Sequence, residues 1–182
     1  ADVSDKGVPA ALIMAALSTK IRSESQIHTD VDKLLGTINN SLHRLISKEG
    51  FFVTIVFVRY WPQSGKMQFS MGGHLRPLWI TESGIGHFPQ VRGISLGIMP
   101  DVHYDMKEIL LSPGESVILF TDGVIEAENE TNEMYGHDRM VGYIMNSKGP
   151  PWGEGLTDEI RQWRGNANVN DDLTLLEIWR DE

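Results

Sequence analysis

The chain has 182 residues, 41% of them hydrophobic and none of them cysteine, and its 25 acidic against 16 basic side chains leave a formal charge of −9. That length suits one domain, residues 1–182, with a sizeable core, and the negative charge argues against nucleic acid and anionic membranes as partners. The missing cysteine excludes disulfides, thiolate metal sites and any phosphatase that works through a cysteine nucleophile; no stretch reaches the roughly 18 consecutive apolar residues of a membrane span, so a soluble, cytoplasmic protein is expected.

The opening Ala1-Asp2-Val3-Ser4 brings a strand end and a helix start with no lead-in, so the chain is expected to be a piece of something longer. Ser4 or Asp5 can cap a helix that runs through Val8-Pro9 to Leu17 and ends at the polar Ser23–Gln26, with Pro9 in its first turn. This helix is apolar nearly all round and is expected to be buried. A second helix, 30–48, carries Val31, Leu34, Leu35, Ile38, Leu42, Leu45 and Ile46 on one stripe, with His28 and His43 expected at the surface.

From Phe51 the period becomes that of strands. Residues 51–61 and 66–71 form a hairpin around Pro62–Gly65, which Gly72-Gly73-His74 interrupts. A short hairpin, 75–81 with 85–88, turns at Glu82-Ser83-Gly84, and 104–111 is expected to pair through Ser112–Glu115 with the strand 116–120. Helices follow at 137–146 and 154–163, separated by Gly149-Pro150-Pro151, and a strand at 173–179 closes the chain. Trp152, Leu156, Ile160 and Trp163 share one helical face, which reads as core packing or as a docking surface. The order of elements indicates an α+β fold rather than a wound parallel sheet.

Val117-Ile118-Leu119-Phe120 reads as a central strand covered on both faces, because an edge strand would alternate apolar with polar. Asp122 follows at the lip of the core, and Gly123 lets the backbone turn sharply or approach a ligand. Taken alone, this is a strand ending in an Asp-Gly turn. Asp2 precedes the first helix and Asp171-Asp172 the last strand, however, and acids at three element ends suit hard divalent cations, which take oxygen ligands and keep several waters. The six histidines show no zinc-type spacing.

Asp2-Val-Ser-Asp-Lys-Gly-Val-Pro-Ala-Ala-Leu12, Gly72-Gly-His-Leu-Arg-Pro77, Leu119-Phe-Thr-Asp-Gly-Val-Ile-Glu-Ala127 and Asn170-Asp-Asp-Leu-Thr174 resemble, in order, the motifs of bacterial metal-dependent Ser/Thr protein phosphatases of the SpoIIE and RsbU type, relatives of the eukaryotic type 2C enzymes. The resemblance spans essentially the whole chain. It implies two packed antiparallel β-sheets flanked by helices, here lacking the N-terminal strands, and two Mn2+ or Mg2+ ions. Asp2 would bridge both ions, the Val3 carbonyl would complete one, and Asp122 and Asp171 would ligate the other, with Asp172 supporting them. Water activated between two cations would attack phosphorus in line, without a covalent enzyme intermediate.

The resemblance further implies a phosphorylated anti-sigma-factor antagonist of the STAS type as substrate and an upstream sensor or receiver domain as the source of the signal. This chain departs from the pattern in three places. It begins after the upstream Gly-Gly-Asp motif, Asp5 stands where glycine is usual, and Ser4 stands where the eukaryotic relatives place a histidine general acid, so the leaving alkoxide would take its proton from water. His74 is a candidate contact to substrate or to a metal ligand, or a structural turn residue; Arg76 is a candidate phosphate contact or a solvated cation. Glu126 reads as a structural or orienting residue, and 126–133 as a solvated loop. Two other readings use the same fold: an inactive adaptor that binds a regulatory partner, and a divalent-cation sensor without turnover.

Overall fold

The change from helical to strand period near Phe51 is where the first helical layer gives way to sheet. The computed structural model describes residues 1–181, and the backbone forms two compact units. The first comprises Ala1–His74 and Pro89–Leu110; the second comprises Leu75–Phe88 and the chain from Leu111 onward.

In the first unit, β1 (Asp2–Val3), β2 (Val53–Trp61), β3 (Lys66–Gly72) and β6 (Met106–Leu110) form an antiparallel sheet in the order β1-β2-β3-β6, with α1 (Val8–Glu24) and α2 (Val31–Ile46) as its helices. Leu34, Leu35, Ile38, Leu42 and Ile46 of α2 pack in one cluster with Val53 and Ile55 of β2 and with Ile13 and Leu17 of α1. Leu45 departs from the expected stripe and is exposed; at 3.6 residues per turn it falls beyond the edge of the buried face. Asn39 is fully buried instead, because its amide accepts from the Gly97 N–H at 2.9 Å and donates to the Met99 carbonyl at 2.8 Å. His43 is half-buried, with Nδ1 2.9 Å from the Gly97 carbonyl oxygen, and half-buried His28 lies 3.3 Å from Glu24, so neither is a plain surface residue.

α1 corrects an expectation. Its N-cap is Gly7, not Ser4 or Asp5, and it is not buried all round: Ile13 and Leu17 face the core while Val8 and Leu12 are 73% and 65% exposed. A helix packed against α2 and β1 on one side covers one stripe only, and alanines tolerate either environment.

In the second unit, β4 (Leu78–Thr81), β5 (Gly84–Gly86), β7 (Ser116–Phe120) and β8 (Leu175–Trp179) form an antiparallel sheet in the order β5-β4-β7-β8. All five residues of β7 are buried, as expected of a strand with a partner on each side. Its expected pairing with 104–111 is not formed. β6 pairs with β3 instead, and the Ser112–Glu115 turn, closed by the Glu115 N–H to Ser112 carbonyl bond of 3.0 Å, carries the chain from one sheet to the other. The physical reason is burial: Lys107, Glu108 and Leu110 are exposed, which suits an edge strand, whereas fully buried β7 requires two neighbours. α3 (Asp122–Ile125), α4 (Gly136–Asn146) and α5 (Gly153–Arg164) complete this unit. Trp152, Leu156 and Ile160 are buried and Trp163 is packed against the same cluster, which settles that helical face as core.

Candidate active site

In the second unit the chain leaves β7 at Thr121, whose side chain and backbone hold the loop before β8. Thr121 N–H donates to the Thr174 carbonyl (3.1 Å), Thr174 N–H donates to Thr121 Oγ1 (3.1 Å), and that hydroxyl donates to the Asp172 carbonyl (3.2 Å). Asp122 then opens α3 rather than an irregular turn. Gly123 makes the closest approach: a Cβ there would stand 2.4 Å from the Asp172 carbonyl oxygen, so only glycine fits. The backbones that carry Asp122 and Asp171-Asp172 are thereby brought against each other.

Local donors orient the carboxylates. Asp122 Oδ1 accepts from the Gly123 N–H at 3.0 Å, and Asp171 Oδ1 accepts from the Asp172 N–H at 2.8 Å. Asp122 is half-buried, while Asp171 and Asp172 are exposed. Gly123 and Asp171 line one small cleft together with Glu128 and Arg164. Glu126, exposed, lines the same cleft, and 126–133 is ordered by Asn129, whose Oδ1 accepts from the N–H groups of Thr131 and Glu133.

In the first unit, Asp2 and Val3 form β1, paired with Thr54 and Val53. Thr54 Oγ1 is 3.5 Å from the Asp2 carbonyl and 2.8 Å from His74 Nδ1, so one hydroxyl joins the strand carrying Asp2 to the Gly-Gly-His turn. Gly73, at φ 66°, lets that turn press on Ser95, whose Oγ would be 2.2 Å from any Cβ. Ser4 Oγ accepts from the Phe52 N–H at 2.9 Å, a strand-end bond rather than the role of an acid. Asp5 has φ 68°, a left-handed conformation that explains why glycine is usual there, and its Oδ1 closes on the Lys6 N–H at 2.8 Å. Arg76, in the second unit, is exposed and makes no ion pair or hydrogen bond among the described residues.

Thr121 and Thr54 are the site residues that sequence reasoning passed over. Thr121 stands inside the Phe-Thr-Asp-Gly motif, where its position between strand and acid was the available signal; Thr54 carried none, since a threonine in a strand is ordinary.

The donor set consists of carboxylates, with neither thiolate nor clustered imidazole, and fits Mg2+ or Mn2+ rather than zinc. Among the described residues no group of three or more His, Asp or Glu side chains forms a metal-holding cluster; the second unit sets Asp122 and Asp171 on adjoining loops, and an ion that retains most of its waters can be held by one or two carboxylates.

The family model for stage II sporulation protein E (SpoIIE) matches residues 1–181. Phosphoserine phosphatase RsbU of Bacillus subtilis is 23% identical over 183 residues, covering 99% of this chain and 54% of the relative, so the chain spans about half of that protein's length. Two solved structures share the fold. The RsbU and RsbW domains of Rv1364c from Mycobacterium tuberculosis superpose with a TM-score of 0.78 at 23% identity, covering 99% of this chain and 51% of the other. The SiaA-PP2C domain of Pseudomonas aeruginosa gives 0.79 at 19% identity, covering 98% and 73%. Phosphatases of this fold family depend on metal ions. With antiparallel sheets and helices as in these neighbours and a family match over nearly its full length, the chain belongs to the SpoIIE family of PP2C-like phosphatases.

Proposed function

We propose that this chain is the catalytic part of a metal-dependent phosphatase that hydrolyses phosphoserine or phosphothreonine on a partner protein. The observation that carries the reading is the close approach of Gly123 to Asp172, held by Thr121, which sets two family-motif aspartates on adjoining loops. Carboxylates set on adjoining loops are hard oxygen donors of the kind that divalent cations such as Mg2+ and Mn2+ take. Asp2, the Val3 carbonyl, Asp122 and Asp171 are the proposed metal ligands. When bound, the ions would supply an activated water for in-line attack and neutralise charge on the phosphoryl oxygens.

The residues around them do the rest. Thr121 holds the Asp171 loop in register with Asp122, and the backbone N–H groups of Gly123 and Asp172 fix the rotation of the two carboxylates. Asp172 and Asp5 shape the turns beside these ligands, and Thr54 fixes the His74 ring relative to the strand that bears Asp2. His74 and Arg76 are proposed to meet the substrate. The substrate protein is proposed to be a phosphorylated anti-sigma-factor antagonist, with control exerted by a sensor or receiver domain of the same protein.

The test is Mn2+-dependent release of phosphate from such a phosphoprotein by the intact protein. Asp122→Asn and Asp171→Asn are each expected to reduce kcat by about a thousandfold or more, since each withdraws a metal ligand. An intact wild-type protein inactive with both Mn2+ and Mg2+ would overturn the phosphatase reading and leave the adaptor.

A further inference from the structure

The glutamate-rich segment 126–133 reads from its sequence as a solvated loop, yet it is built as a fastened hairpin. Glu128 and Met134 form a β-bridge, the Asn129 N–H donates to the Glu133 carbonyl at 3.0 Å, and the Tyr135 N–H donates to the Ala127 carbonyl at 2.8 Å. Tyr135 seats the hairpin on α5: it is 1% exposed, and its hydroxyl donates to Glu159 Oε1 at 3.0 Å. Trp163 Nε1, near the end of the same helix, donates to the Glu133 carbonyl at 3.3 Å.

Two glutamates reach from this hairpin to the chain between α5 and β8. Glu130 Oε1 accepts from the Asn166 N–H at 2.9 Å, and half-buried Glu128 accepts at Oε2 from Asn170 Nδ2 at 3.0 Å. Asn170 immediately precedes Asp171. On the other side of Asp171, the Asp172 carbonyl accepts from the Thr121 hydroxyl at 3.2 Å. The proposed ligand therefore lies between two ties, one to the end of β7 and one to the hairpin. A single tie leaves the soft dihedrals on the far side of Asp171 to rotate, whereas a tie on each side restrains both. A loop ordered before the ion arrives spares metal binding that entropic cost. The charged acceptor makes the Glu128 bond stronger than one between neutral groups.

We propose that Glu128 is a positioning residue, which through Asn170 holds the Asp171 loop in the arrangement that binds the metal ion. The proposal rests on the metal-dependent reading above, so its test includes a measurement without metal. In the intact protein, Mn2+ is titrated by calorimetry into wild type, Glu128→Ala, Glu128→Gln, Asn170→Ala and the double variant E128A/N170A. Loss of the bond is expected to weaken Mn2+ binding about three- to tenfold in E128A and in N170A, and no further in the double variant. E128Q keeps an acceptor and is expected to stay within about twofold of wild type. In the metal-free protein, amide exchange of residues 170–172 is expected to quicken in E128A and N170A but not in E128Q, with Tm unchanged.

In turnover of a phosphoserine peptide, E128A is expected to need about three- to tenfold more Mn2+ for half-maximal rate, while kcat at saturating Mn2+ stays within about threefold. A role in packing alone would lower Tm without moving the Mn2+ requirement. Mn2+ binding and amide exchange by E128A equal to wild type would overturn the proposal. So would an E128Q as impaired as E128A, because the charge and not the hydrogen bond would then be acting, or losses that simply add in the double variant. A wild type that binds neither Mn2+ nor Mg2+ would sink the metal-dependent reading, and the exchange rates would still decide whether Glu128 holds the loop.

Discussion

Gly123 is the contact on which the geometry of the two acid-bearing loops depends. A methyl group there would meet the Asp172 carbonyl oxygen at 2.4 Å, and a carbonyl fixed by Thr121 cannot retreat without breaking that bond. Gly123→Ala is therefore expected to cost about 1–3 kcal/mol, the range of overpacking substitutions, in urea unfolding. A variant as stable as wild type would show that the loop gives way freely. Glu177 of β8 lies farther from any motif. Its Oε2 accepts the Trp152 N–H at 2.8 Å and the Gly153 N–H at 3.3 Å at the start of α5, while Oε1 is buried without a partner. Burial raises its pKa, and the two N–H bonds oppose that shift only in part. A carboxyl with a raised folded-state pKa adds stability that is complete below the ordinary glutamate range and is lost as pH rises through the folded value. Glu177→Gln keeps an acceptor for the two N–H groups and removes the charge. It is expected to stabilise the protein at neutral pH and to flatten the pH dependence of unfolding just above the ordinary glutamate range; an unchanged slope would count against this assignment. Neither feature was legible as such: Asp-Gly announced a tight place without naming what it met, and Glu177 in a strand looks like any solvent-facing acid.

Elements were legible where burial and period agree. β7 reads as a central strand from four apolar residues in succession, and it is one. Its neighbour was misread because a four-residue turn between two strand-like runs shows that they are close in the chain, not that they pair; the exposed Lys107 and Glu108 already marked β6 as an edge. α1 shows the opposite limit, since an apolar composition without a polar face gives no direction to point the helix. The consequence is measurable. Leu17, at 1% exposure, packs against α2, and Leu17→Ala is expected to cost about 2–5 kcal/mol. Leu12→Ser, on the outer face at 65% exposure, is expected to change stability by no more than about 0.5 kcal/mol. Equal losses at both positions, measured by thermal or urea unfolding, would mean that the outer face is covered.

At the scale of the whole molecule, a chain with a formal charge of −9 places several of its acids on the loops that the family motifs identify. Those motifs were legible because three of the four join a charged residue to glycine near the end of a regular element and the fourth sets two adjacent acids before the last strand, combinations that packing alone does not call for. Their distribution over two compact units, Asp2 in the first and Asp122 with Asp171 in the second, was not legible, because spacing along the chain says nothing about which sheet a strand joins. A divalent cation that binds these aspartates in the folded state and not in the unfolded chain must raise stability by mass action. At a Mn2+ concentration about 100 times its dissociation constant, the gain is about 2.7 kcal/mol. For a chain of this length, that amounts to a rise in Tm of about 5–10 °C. Asp171→Asn removes a proposed ligand, so it is expected to abolish most of the Mn2+-dependent increase. A wild-type Tm that Mn2+ and Mg2+ leave unmoved in the intact protein would contradict the assignment of these aspartates as metal ligands, whatever the activity.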